Sequence, residues 1–343
     1  MQKDTPINQR KDDHIRINLN QDVQSGRSTG LEKYHFIHQA LPEMSLEEVQ
    51  LSQTIFGKTQ RVPFYVSSMT GGTRKAEQIN RNLATAAQKM GFAMGVGSQR
   101  AAIINPDLAS SFQVRKYAPD ILLFANLGAV QLNLGYGVDE CRRAVEMIEA
   151  NALILHLNPL QEALQPEGDT DFSGLVKKIR KVREKLAVPV IVKEVGWGLS
   201  QKASQMLFDA GVDAVDVAGA GGTSWSQVEM YRIKDTYRRQ TANFFKDWGI
   251  PTAESIRNAR LVNKEWIVFA SGGLKNGMDA AKCLALGANL SGMAGILLKA
   301  ANDSFETTVN VMRMLVEQLR ITMFATGTRK LADLTSEKLV KED

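Results

Sequence analysis

Eight short apolar runs, each closed by Gly, Asn, Ser or Lys, recur along the chain. They are RVPFYVSSM (61–69), FAMGVGS (92–98), DILLFANL (120–127), ALILHLN (152–158), VPVIVKEV (188–195), AVDVAGA (214–220), IVFASGG (267–273) and LSGMAG (290–295). A run that is apolar at nearly every position predicts a strand covered on both faces, as in a parallel sheet. Amphipathic stretches separate most of the runs. In KAEQINRNLATAAQKM, Ala76, Ile79, Leu83, Ala86 and Met90 recur at three- and four-residue steps and share one helical face. Val176, Ile179, Val182 and Leu186 do the same in GLVKKIRKVREKL, and KASQMLFDAG, AESIRNARLV and GMDAAKCLALGA extend the series. The interval between the second and third runs, NPDLASSFQVRKYAPD, has room only for a short helix. Eight alternations predict a (β/α)8 TIM barrel over residues 56–327; an open doubly wound sheet is the alternative, and eight units favour closure. Residues 1–55 form an N-terminal extension and 328–343 a polar tail. After the sixth run comes GGTSWSQVEMYRIKDTYRRQTANFFKDWG. It is far longer than the about 2–6 residues of an ordinary βα loop and predicts a functional or mobile lid. SFETTVNVMRMLVEQLRITMFATG reads as a long final helix.

Composition narrows the class. With 44% hydrophobic and 23% charged residues, a chain of 343 can bury a large core. The net charge of +5 is not gathered into a Lys/Arg run. That argues against nucleic acid and suits an anionic small ligand. Cys141 and Cys283 lie inside amphipathic runs and read as buried thiols of a reducing compartment. MQKDTPINQRKDDHIRI contains no signal peptide, and no run of about 18 apolar residues marks a membrane span. A soluble cytoplasmic protein is expected.

In such a barrel the active site lies at the C-terminal ends of the strands. The polar residues that collect there are Ser68-Met69-Thr70, Ser98-Gln99-Arg100, Asn126, His156 with Asn158, Lys193, Thr223, and the glycine turns Gly272-Gly273 and Gly292-Met293-Ala294-Gly295. Glycines after the last two strands let backbone N–H groups approach a phosphate, although they also suit tight turns. Both turns together resemble those of flavin mononucleotide (FMN) barrels. Thr70, Ser98 and Asn126 would then meet the polar edge of the ring, and Lys193 would face N1. Lys193 could instead pair with Glu194 or Asp216. In HLNPLQE (156–162), Glu162 could be a first-turn helix acid, or a metal ligand grouped with His156, Asn158 and Gln161.

These residues carry a resemblance to one family, the type 2 isopentenyl-diphosphate isomerases. The matching motifs are RKDDHI (10–15), SSMTGG (67–72), GVGSQR (95–100), HLNPLQE, KEVGWG (193–198), VDVAGAGGTSW (215–225), WGIPT (248–252) and SGGLKNG (271–277). The resemblance implies interconversion of isopentenyl and dimethylallyl diphosphate with FMN, Mg²⁺ and a reductant such as NADPH, with no net redox change. It implies FMN contacts at Ser68, Met69, Thr70, Ser98, Asn126, Lys193 and Thr223. Gly272, Gly273, Ala294 and Gly295 would hold the FMN phosphate. Arg10, Lys11, His14, Ser98, Gln99, Arg100, Asn158 and Gln161 match substrate positions, and Glu162 matches the magnesium ligand. Reduced flavin would do most of the acid–base work, with His156, Gln161 and Lys193 as catalytic partners. Glu229, in the long insertion, is either a further relay or an exposed helical acid. A tetramer or octamer is implied. The rival is an FMN-dependent 2-hydroxy-acid oxidase. That chemistry needs a histidine late in the barrel, but the histidines are His14, His35, His38 and His156.

Overall fold

The computed structural model describes residues 6–342. Its centre is a closed barrel of eight parallel strands: β1 (Phe64–Val66), β2 (Ala93–Gly95), β3 (Leu123–Gly128), β4 (Ala152–Leu157), β5 (Val190–Glu194), β6 (Ala214–Asp216), β7 (Ile267–Ala270) and β8 (Leu290–Met293). Each expected run covers one of them, β3 extending one residue past its run. The ring closes where Ser291, Gly292 and Met293 of β8 pair with Phe64, Tyr65 and Val66 of β1, which excludes the open sheet.

The uniformly apolar runs conceal a two-residue alternation that organises the molecule. Phe64 and Val66, Val190 and Val192, and Val268 and Ala270 face the surrounding helices. Tyr65, Phe124, Ile154, Ile191, Ala214 and Phe269 point into the barrel. There the rings of Tyr65, Phe124 and Phe269 lie 5.5–6.3 Å apart between centroids. Truncating such a ring to alanine costs about 3–5 kcal/mol. One step further along the same inward columns come Asn126, His156, Lys193, Asp216 and Ser271. The parity that fills the core with aromatic rings therefore also aims these polar side chains at the mouth.

Helices flank the barrel where the pattern predicts them. Arg74–Met90 is capped by the Thr73 hydroxyl accepting from the Ala76 N–H and ended by Gly91 in the left-handed region, at φ 79°. Leu175–Lys185, Gln201–Asp209, Thr252–Val262, Gly277–Ala285 and Phe305–Ala325 follow. Between β2 and β3 lie only Arg100–Ile104 and short 3₁₀ turns. The insertion folds as Trp225–Arg232, Thr236–Phe244 and the turn Phe245–Asp247.

The extension is built into the barrel at both ends. The helix Pro6–Asn20 lies over the mouth, where Ile17 packs with Val23 and Val228. At the opposite end a hairpin, Gln53–Ile55 with Lys58–Gln60, inserts Ile55 and Phe56 beneath the aromatic layer. Tyr34–Phe36 pairs antiparallel with Leu339–Lys341 of the tail. Cys141 and Cys283 are buried and unpaired. Burial pushes the Cys141 thiol up to about 12, so it carries no reactive thiolate. No helix among the described residues is long and apolar enough to cross a membrane.

Candidate active site

A cavity of about 650 Å³ opens at the C-terminal mouth, roofed by the N-terminal helix and the insertion. It falls inside the range of small-molecule and cofactor sites. Its floor is a polar network that joins β5, β6 and β7 and reaches Tyr65 of β1. Lys193 Nζ is 2.7 Å from Asp216 Oδ2 and donates to Ser271 Oγ at 3.0 Å. The Ser271 and Tyr65 hydroxyls both donate to Asp216. Lys193 is thus both paired with Asp216 and exposed to the cavity. Glu194 takes no part. Its carboxylate accepts from the N–H groups of Val195, Gly196 and Trp197, and burial outweighs those donors to raise it to about 7.

His156 Nδ1 lies 2.8 Å from Asn126 Oδ1. Burial, with the charges of Lys193 and Arg10, lowers it to about 4, so the ring is neutral near pH 7. With Asn126 oriented so that its carbonyl accepts, Nδ1 carries the proton and Nε2 is an acceptor. On one side wall, Gly272 and Gly273 have φ of 103° and 80°, and a Cβ on Gly272 would lie 2.1 Å from the Gly219 carbonyl. Tight chain packing demands these glycines. Gly295 differs: among the described residues nothing lies within 4 Å of where its Cβ would be, and it opens the helix Gly295–Asp303 onto the cavity. The free N–H groups of that turn suit a phosphate. The Ser68 hydroxyl is buried with no partner among the described residues. This open helix terminus, the orphan hydroxyl and the lysine on the floor fit FMN.

HLNPLQE forms the opposite wall. Asn158 precedes the helix Pro159–Leu164, and its Nδ2 donates to Glu162 Oε1 at 2.8 Å. Glu162 Oε2 accepts from the Asp169 N–H at 2.7 Å and from Gln165. Three donors therefore aim one carboxylate, and Asn158 Oδ1 beside it has no partner among the described residues. Among the described residues no cluster of three or more His, Cys, Asp or Glu could hold a metal by itself. A single oriented carboxylate fits Mg²⁺, which keeps waters and takes oxygens from its phosphate ligand.

The roof brings in distant side chains. Arg10 Nη1 donates to Gln165 Oε1 at 3.4 Å, and Lys11 Nζ donates to the Ser98 carbonyl at 2.9 Å and sits over the Phe112 ring. Burial, then Arg10, pushes Lys11 down to about 7. His14 Nε2 lies 3.1 Å from Glu229 Oε1, and Gln161 Nε2 donates to the same oxygen at 2.9 Å. Arg232 Nη1 is 2.5 Å from Glu229 Oε2. Glu229 is not an exposed helical acid: it is 0% exposed and lies behind His14 and Gln161, outside the cavity lining. Burial raises its carboxyl, but the His14 hydrogen bond and charge, the Arg232 charge and the Gln161 hydrogen bond prevail and hold it at about 2. Burial also lowers His14, with the Glu229 hydrogen bond and charge opposing it.

All the other expected site residues line the cavity except Gln99. Its side chain turns away from the mouth. Nε2 donates to the Ala144 carbonyl at 2.8 Å, and Oε1 accepts from the Asn126 N–H at 2.9 Å. Where the chain turns into the helix Arg100–Ile104, Ser98 and Arg100 face inward and Gln99 faces out. Gln131, Gln165, Trp225, Lys275 and Lys299 line the cavity but were not expected to. Gln165 had a readable signal, lying three and four positions after Glu162 and Gln161 on one helical face. With Arg10, Lys11, Arg100, Lys193, Lys275 and Lys299 around one carboxylate, the site is built for an anion.

Fold and cavity define a flavin-type (β/α)8 barrel. The family described as FMN-dependent dehydrogenase matches residues 156–341. A crystal structure of mandelate oxidase superimposes with a TM-score of 0.67 at 17% identity, covering 98% of this chain and 99% of that one. At that identity the likeness is one of fold. The isopentenyl-diphosphate delta-isomerase of Rickettsia rickettsii is 50% identical over 331 residues, 96% of this chain and 97% of its own length. That of a Nostoc species is 50% identical over 326 residues, 95% and 93% respectively. The chain belongs to the type 2, FMN-dependent isopentenyl-diphosphate delta-isomerase family.

Proposed function

We propose that this chain interconverts isopentenyl and dimethylallyl diphosphate, with reduced FMN and a Mg²⁺-bound diphosphate side by side in the cavity and NADPH as the reductant. One observation carries the reading: a three-donor-oriented Glu162 and the cationic roof face the same cavity as Lys193 and the open Gly295 helix terminus. Ser68, Met69, Thr70, Ser98, Asn126, Lys193 and Thr223 would hold the flavin, and Gly272, Gly273, Ala294 and Gly295 its phosphate. When bound, reduced FMN supplies an electron-rich face and a proton donor and acceptor beside the alkene.

The chain's own residues do the rest. Glu162 would take the metal, and Arg10, Lys11, His14, Arg100, Asn158 and Gln161 would hold the diphosphate. Neutral His156, fixed through Nδ1 by Asn126, presents Nε2 as a proton acceptor or hydrogen-bond partner. Glu229 stays ionised and orients the Gln161 amide and the His14 ring towards the diphosphate. The helix Pro6–Asn20 and the insertion close the mouth, and the excluded water protects a carbocation-like centre from capture. Buried unpaired thiols suit a reducing cytoplasm. Exposed Met314 and Ile321 on the final helix suit contact with further copies in a tetramer or octamer.

The purified protein should be yellow. Under anaerobic conditions it should turn over isopentenyl diphosphate only with both NADPH and Mg²⁺ present. Turnover without reductant, or oxygen consumption on lactate or glycolate, would overturn the reading. The oxidase alternative already lacks its imidazole: His35 and His38 are exposed on the extension, and no histidine follows β4.

A further inference from the structure

We propose that Asp169 is a positioning residue for diphosphate binding, because it fixes the Arg100 guanidinium with its side chain and the Glu162 carboxylate with its backbone N–H. The inference rests on the reading that the cavity takes a diphosphate. Asp169 lies in the loop after the helix Pro159–Leu164 and is not among the residues that line the cavity. Its Oδ2 is 3.1 Å from Arg100 Nη1, and Gln131 Nε2 approaches the same oxygen at 3.5 Å. Arg100 Nε is buried without a partner among the described residues. A guanidinium is planar, so pinning one N–H fixes the direction of the others. One carboxylate contact therefore leaves the fork aimed at the cavity with donors to spare.

The other half of the arrangement is the backbone. Asp169 N donates to Glu162 Oε2 at 2.7 Å. The loop can double back this far only because residue 168 is glycine: a Cβ there would lie 1.7 Å from the Glu162 carbonyl oxygen. A single turn thus joins the carboxylate that faces the cation to the guanidinium that faces the anion. An aspartate near an anion site also repels the anion. Here both partners are partly solvated, with side-chain exposures of 24% for Asp169 and 30% for Arg100. Solvent screens that repulsion, while orientation by a short contact persists.

The test is calorimetric titration of inorganic pyrophosphate into FMN-loaded protein, with and without Mg²⁺, alongside isomerase kinetics. Asp169→Asn keeps the shape and removes the charge. It should raise the pyrophosphate Kd and the isopentenyl diphosphate KM about tenfold, with kcat within about twofold of wild type and FMN affinity unchanged. In an Arg100→Lys background the same substitution should have no further effect, because it acts through the guanidinium. Wild-type protein that binds no pyrophosphate would sink the diphosphate reading and this inference with it. Wild-type binding matched or exceeded by Asp169→Asn would overturn this inference alone. So would an undiminished effect in the Arg100→Lys background. If Asp169→Asn folds poorly, Arg100→Gln alone removes the guanidinium that Asp169 fixes and should raise the same Kd and KM at least as far; wild-type values there would equally overturn the inference.

Discussion

Raising the pH from about 6 to about 9 is expected to weaken diphosphate binding by discharging one ammonium group, that of Lys11. Lys11 is held between the Ser98 carbonyl and the Phe112 ring, with no carboxylate paired with it among the described residues. Burial and the adjacent Arg10 bring it down to about 7 in the empty site. A bound diphosphate retains the proton, so binding above that pH must first restore it. Each pH unit then costs about tenfold in affinity, about 1.4 kcal/mol. Pyrophosphate itself ionises over the same range, so the informative quantity is a ratio. Lys11→Arg keeps its charge at any accessible pH. The wild-type Kd divided by the Lys11→Arg Kd, measured by titration into FMN-loaded protein, should be flat below about pH 7 and climb by up to about tenfold per unit above it. A constant ratio across the range would refute the reasoning, since it would mean that the Lys11 proton is not lost in the empty site.

Three further outcomes follow from the same geometry. Glu229→Ala leaves Arg232 and His14 facing an empty buried position, a loss of about 3–5 kcal/mol. The N-terminal helix should then be cut faster in limited proteolysis, and an unchanged cleavage rate would refute the clasp. Because the folded carboxyl sits at about 2, below its ordinary 4.5, this contribution is complete above about pH 4.5 and is lost as the pH falls through about 2. Lys193→Ala strands Asp216 as an unpaired buried anion, at about 3–5 kcal/mol, and should strip FMN on gel filtration. A flavin-replete, fully active variant would remove the assignment. Gly295→Ala meets no protein atom, so the thermal stability of the apoprotein should hold to within about 0.5 kcal/mol. The FMN Kd should rise about tenfold from the methyl group in the phosphate's place, and an unchanged Kd would move the phosphate elsewhere.

Much of this molecule is legible along the chain. Barrel strands are covered on both faces, so each stands out as an unbroken apolar run, and all eight are readable in order. The active-site residues follow from the same rule. Asn126, His156 and Lys193 lie two positions beyond the inward-facing Phe124, Ile154 and Ile191, and a period of two carries them to the mouth. Gln165 could have been found the same way with helical spacing.

Other features could not be read from local pattern. Glu229 sits on a helix whose polar surroundings suggest exposure, yet it is fully buried because His14, 215 positions away in sequence, lies down on it. Arg10 meets Gln165 across 155 positions. The helix over the mouth, the hairpin plugging the far end, the outward turn of Gln99 and the doubling back at Gly168 all depend on which distant segment arrives at each place. Hydrophobic periodicity reports a residue's own element and face. It carries no information about the partner that covers that face, and that partner decides whether a carboxylate is solvated, clasped or aimed into a cavity.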